Sequence, residues 1–124
     1  MIIEANTTLM VSDMERAVRF YTDILGLKLK ARYGGQFAQV EAPGIIVALH
    51  PATKGGPQPG GSEGISIGFS VDNLDETMVE LKGKGVQFSR TADDKQVRLA
   101  FFADPDGNPL YLSQSKWGLA TRVL

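Results

Sequence analysis

Two stretches of the chain share one order of apolar and polar positions, sixty residues apart. Leu9-Met10-Val11-Ser12-Asp13-Met14-Glu15-Arg16-Ala17 is answered by Phe69-Ser70-Val71-Asp72-Asn73-Leu74-Asp75-Glu76-Thr77, so that Val11 pairs with Val71, Asp13 with Asn73 and Met14 with Leu74. In each copy an alternating run, which predicts a half-buried strand, stops at a short polar residue where helical periodicity begins. Asp13 and Asn73 read as N-caps, because a short side-chain oxygen accepts hydrogen bonds from the free amides of a first helical turn.

The same reading extends along both halves. The first strand is predicted over Asn6–Val11. Ala17, Phe20, Tyr21, Ile24 and Leu25 then form a helical stripe that Gly26 ends. Strands follow at Leu27–Tyr33, Gln36–Glu41 and Ile45–His50. The second half repeats this with a strand at Ile65–Val71, a helix carrying Leu74, Thr77, Met78 and Leu81, and strands at Val86–Thr91, Arg98–Ala103 and Pro109–Ser113. Asp104–Asn108 makes the last tight turn. The pattern predicts an α+β fold of two βαβββ modules within a single domain, 1–124. Module one is about 1–53, a Gly/Pro-rich connector is 54–64, module two is about 65–115 and a tail is 116–124. The connector reads either as an exposed linker or as a tip that covers a pocket or crosses to a partner subunit.

Strand parity separates two faces. Leu9, Val11, Val47, Leu49, Ile67, Phe69, Leu110 and Leu112 share one parity and are expected to pack against the helices. The other parity carries Asn6, Thr8 and Met10, then Ile46, Ala48 and His50, then Ser66, Gly68 and Ser70, then Pro109, Tyr111 and Ser113. This small, polar and aromatic set predicts the wall of a cleft. The competing reading is a solvated face, although such faces usually carry Lys and Glu. Phe37, Gln39, Ala100 and Phe102 extend the set, to within one residue of register.

Composition narrows the chemistry by subtraction. At 43% hydrophobic and 22% charged, with formal net charge −1, the chain offers no electrostatic footprint for nucleic acid or an anionic membrane. No apolar run approaches the roughly 20 residues that span a bilayer. Met1-Ile2-Ile3-Glu4 lacks the basic region and long apolar core of a secretory signal, so a cytoplasmic location is expected. The absence of cysteine removes disulfides, thiolate ligands and thiol nucleophiles. His50, the single histidine, is the natural general base if the protein has one, and otherwise a hydrogen-bonded residue at a strand end.

The phrases LMVSDMERAVRFYTDILGLKL, GFSVDNLDETMVELKGKGV and AFFADPDGNPLYL, in this order, resemble the vicinal oxygen chelate superfamily, the glyoxalase, bleomycin-resistance and extradiol-dioxygenase group. The resemblance runs from about Asn6 to Ser113. It implies a mixed sheet curled around a cleft with the helices outside, and a homodimer. It also implies four metal-ligand positions, one on each of four strands, which fall at Asn6, Ala48, Ser66 and Tyr111. None suits a divalent ion: Asn and Ser oxygens only assist carboxylates, Ala has no donor, and a neutral Tyr is a poor ligand. His50 alone lacks the partners that a site needs. No metal and no cofactor are therefore expected.

These residues predict a binding protein that holds a small, partly aromatic molecule in a cleft between modules or subunits. The expected ligand-binding set is Asn6, Thr8, Phe37, Ile46, Ala48, Ser66, Gly68, Tyr111 and Trp117. Trp117 is either a stacking surface or a pin for the tail. One alternative is a glyoxalase- or lyase-type enzyme, a lyase or isomerase, that works without the usual metal through His50 and Tyr111. The other is a metalloenzyme with atypical ligands.

Overall fold

The computed structural model describes residues 1–3, 5–61 and 64–116, and it divides into two units that follow the repeat. The first module runs β1 (Thr7–Val11), α1 (Met14–Arg19), β2 (Lys28–Tyr33), β3 (Phe37–Ala42) and β4 (Ile45–Pro51). The second runs β5 (Ile67–Ser70), α2 (Leu74–Gly83), β6 (Arg90–Asp93), β7 (Val97–Ala103) and β8 (Pro109–Ser115). Each module builds its own four-stranded mixed sheet, ordered β1-β4-β3-β2 and β5-β8-β7-β6. In each, the first strand lies parallel to the last and the other pairs are antiparallel. Asp104–Asn108, the turn between β7 and β8, belongs to the first unit. The α+β class and the two βαβββ modules are as the repeat predicts. Among the described residues no helix is long and apolar enough to cross a membrane.

The two predicted caps start the helices. Asp13 Oδ1 accepts from the Arg16 amide and Asn73 Oδ1 from the Glu76 amide, each at 3.0 Å. A π-helical turn, Phe20–Ile24, extends α1, and the Leu25 amide donates back five residues to the Phe20 carbonyl at 3.0 Å. Such a turn inserts an extra residue into the helix. Phe20 and Tyr21 are both buried there, with their rings edge to face at 5.1 Å.

Beneath α1, the Val11, Ala38, Val40, Val47 and Leu49 side chains are almost wholly buried. In the second module Ile67, Ala100, Phe102, Leu110 and Leu112 are buried, as are Leu74 and Leu81 of α2, which packs on β7 and β8. Burial of each larger aliphatic side chain stabilises the fold by about 1.5–3 kcal/mol.

Four expectations shift. β1 starts at Thr7 and β5 at Ile67, so Asn6 and Ser66 precede their strands and are exposed. β6 occupies Arg90–Asp93 rather than Val86–Thr91, because the Val86 amide is used on the Leu81 carbonyl at the end of α2 (3.0 Å). The chain reaches the ladder only where the Ser89 amide donates to the Phe101 carbonyl at 2.8 Å. Register on β7 turns Ala100 and Phe102 into the core, at 0% and 4% exposure, so Leu99 and Phe101 take the opposite face. β8 continues to Ser115, and the Lys116 amide donates to the Gln96 carbonyl at 2.9 Å. Trp117 and the tail beyond it lie outside the described residues.

The connector is hydrogen-bonded along its described part. Gln58 Nε2 donates to the Thr53 and Gly56 carbonyls at 3.1 Å, and the Gly60 amide donates to Asn108 Oδ1 at 3.0 Å. Only glycine fits at position 60: φ is +68°, and a Cβ would lie 2.6 Å from the Asp106 carbonyl oxygen.

Candidate functional site

On the second sheet, register sets Gly68, Tyr111, Phe101 and Arg90 side by side across all four strands, on the face opposite Leu110 and Phe102. A Cβ at Gly68 would lie 2.1 Å from Cζ of Tyr111 and 2.4 Å from its hydroxyl oxygen, so the tyrosine ring lies over bare backbone. Covering a strand glycine with a cross-strand aromatic is a recognised way to hold such a ring. The Tyr111 and Phe101 centroids are 6.1 Å apart at 42°, and Arg90 Cζ stands 3.9 Å from the Phe101 centroid. That cation–π contact contributes about 0.5–1 kcal/mol at an exposed position. The next row is Ser70, Ser113, Leu99 and Ala92, with the two serine hydroxyls 3.4 Å apart. These rows can stack a planar ring and hydrogen-bond its edge.

On the first sheet the corresponding face carries Thr8, Ala48, Gln39 and Ala31 in one row. Met10 lies beside His50, and Tyr33 beside Phe37, with the two rings 6.1 Å apart. Ala48 is 3% exposed and bounds the row without offering surface, while Ile46 is half-buried opposite Glu41. His50 is partly buried with Nδ1 2.7 Å from the Pro51 carbonyl oxygen. A carbonyl only accepts, so this contact assigns the proton to Nδ1 and leaves the Nε2 lone pair available.

The four positions at which the resemblance implies metal ligands can be judged by their chemistry. Ala48 has no donor atom, Asn6 and Ser66 lie outside the strands, and Tyr111 is laid over Gly68. Among the described residues no three His, Cys, Asp or Glu side chains are grouped so as to hold a metal ion. None of these four positions carries the carboxylate or imidazole from which divalent sites are built.

Asp104 and Asp106 form the turn, as their spacing predicts. Asp104 Oδ2 accepts from the Tyr21 hydroxyl at 2.7 Å and from Asn108 Nδ2 at 2.8 Å, and Oδ1 accepts the Asp106 and Asn108 amides at 2.9 Å. Burial pushes the Tyr21 phenol far above its ordinary range, and the Asp104 charge adds to the rise. With both oxygens engaged, Asp104 anchors the turn.

Structure thus joins Gly68 with Tyr111, and Thr8 with Ala48, in single rows. It adds two residues that sequence reading missed, Phe101 and Arg90. Leu99-Ala100-Phe101-Phe102 is apolar on both parities, so alternation within it could not choose the face.

Comparison with known proteins agrees with this architecture. The profile of the Glyoxalase/Bleomycin resistance protein/Dioxygenase superfamily matches residues 5–112. A solved member of that superfamily from Sphaerobacter thermophilus is 31% identical with a TM-score of 0.73, over 91% of this chain and 98% of its own. TnmS3, an antibiotic binding protein from Streptomyces sp. CB03234, is 28% identical with a TM-score of 0.75, over 94% of this chain and 99% of its own. Lactoylglutathione lyase of Schizosaccharomyces pombe is 26% identical over 132 residues; the match takes in 82% of this chain but only 43% of that enzyme.

Proposed function

The chain belongs to the glyoxalase/bleomycin resistance protein/dioxygenase superfamily, and from that premise we propose that it binds a small, partly aromatic molecule without a metal. The observation that carries this reading is the Tyr111 ring laid over Gly68 and continued, at a 42° tilt, by Phe101, an aromatic surface on which a planar ring can stack. The ligand positions, poor in donors, argue in the same direction. So does the relative named as an antibiotic binding protein, at 28% identity over nearly its whole length. The binding reading includes a homodimer in the cytoplasm. Native mass spectrometry of the purified protein tests it: a bound organic molecule at one per chain with no metal supports it, and a stoichiometric divalent ion overturns it.

A second reading has one observation in its favour. The His50 hydrogen bond to the Pro51 carbonyl leaves Nε2 free to take a proton, as a lyase or isomerase base must. Turnover that disappears in His50→Ala would support this enzyme reading; its persistence there would sink it.

A further inference from the structure

We infer that the exposed face of the second sheet selects planar aromatic acids, with Arg90 receiving the acid group at one end of the Tyr111–Phe101 surface. This rests on the reading that the face binds small aromatic molecules, and it adds the charge and the length of the ligand.

The described arginines divide into two kinds. Arg16, Arg19, Arg32 and Arg98 face carboxylates at 3.6, 4.0, 2.8 and 2.9 Å. Arg90 has no carboxylate partner among the described residues and stands instead 3.9 Å from the Phe101 centroid. A guanidinium set against a ring keeps N–H groups directed outward, and its planar fork matches a carboxylate with two parallel hydrogen bonds. Phe101 therefore pre-positions the cation, which lowers the ordering cost of receiving an anion.

Placement strengthens the argument. β6 is an edge strand, so Arg90 ends the row at the rim of the sheet. The neighbouring row, Ser70, Ser113, Leu99 and Ala92, is uncharged, so no acid on it competes for the guanidinium. The 3.9 Å and 6.1 Å separations along the row put the guanidinium within about 10 Å of the Tyr111 ring. Two fused rings bearing one carboxylate span that distance.

Calorimetric titration of the full chain with three naphthalene probes tests the inference. They are 2-naphthoate, its neutral methyl ester, and 2-naphthylmethylammonium. The acid should bind about tenfold or more tighter than the ester, with the ammonium weakest, since a charge-assisted bidentate pair is lost in both. Arg90→Gln should bring acid and ester to within about threefold of one another, chiefly by weakening the acid. Arg90→Lys should retain part of the preference, having the charge without the fork. Ester bound as tightly as acid, or an acid preference that survives Arg90→Gln, overturns the inference and leaves the stacking surface standing. Failure of all three probes to bind at millimolar concentration overturns both.

Discussion

Gly68 and Tyr111 are direct register partners on the parallel strands β5 and β8, and a Cβ on Gly68 would lie 2.1 Å from Cζ of the Tyr111 ring. The two residues share one volume, which lets the phenol lie along the sheet instead of projecting from it. Phe101 continues that surface at a centroid distance of 6.1 Å.

Gly68→Ala separates folding from binding at this contact. The new methyl meets only the far end of a movable side chain, so stability should change by no more than about 1 kcal/mol. The displaced ring should weaken binding of a planar aromatic ligand by about tenfold or more, by loss of stacking. Thermal melts and a ligand titration read the two effects separately; unchanged affinity would remove Tyr111 from the binding surface.

The turn at Asp104–Asn108 predicts three different costs. Tyr21→Phe removes one hydrogen bond to a buried carboxylate and should cost about 1.5–3 kcal/mol. Asp104→Asn should cost more, because an amide nitrogen would face donors at one oxygen's place, whichever way it is turned. Asp106→Asn should cost least. The Ser12 amide and hydroxyl both donate to Oδ1 of Asp106, at 3.0 and 2.5 Å, and its Oδ2 has no partner among the described residues. Denaturant melts should show the largest loss for Asp104→Asn, a smaller one for Tyr21→Phe and the smallest for Asp106→Asn.

Stability should fall at both ends of the pH range. The Gln96 and Val97 amides hold Asp94 below the usual carboxylate range, and Arg98 does the same for Asp75. A lowered folded pKa contributes fully above the unfolded value of about 3.9 and is lost as pH falls through it toward the folded value. Asp94→Asn keeps an accepting oxygen without a titrating proton, so it should flatten part of the acid loss. Tyr21 is raised instead, by burial first and by the Asp104 charge second. Its contribution is full below the unfolded value of about 10 and is lost as pH rises beyond it. Tyr21→Phe should remove that alkaline slope, read by melts between pH 8 and 11 (roughly one unit either side of the unfolded value).

Lactoylglutathione turnover should be absent, with and without added divalent metal, and His50→Ala should leave ligand affinity unchanged. A rate above background that collapses in His50→Ala would transfer the conclusion to the enzyme reading. The His50 Nδ1 contact with the Pro51 carbonyl leaves Nε2 as the candidate base for such turnover.

Much of the scaffold could be read from local chemistry. Asp13 and Asn73 are caps because their oxygens reach the amide three residues on, a short-range fact visible in sequence. Strand parity likewise put Gly68 and Tyr111 on one face. The misreadings involve competing or distant partners. Val86 looked like strand, but its amide is taken by Leu81. Phe101 was hidden by a neighbour, Phe102, of equal hydrophobicity and opposite parity. The Tyr21–Asp104 bond joins residues 83 apart, and no local pattern announces it.

Titration of chelator-treated protein with 2-naphthoate, repeated with one equivalent of Zn²⁺ and with Tyr111→Ala, tests metal-independent binding on the Tyr111 surface most directly. One molecule should bind per chain with the same affinity in the presence and absence of zinc, and binding should be lost in Tyr111→Ala. Binding that appears only with zinc, or that survives Tyr111→Ala, would contradict it.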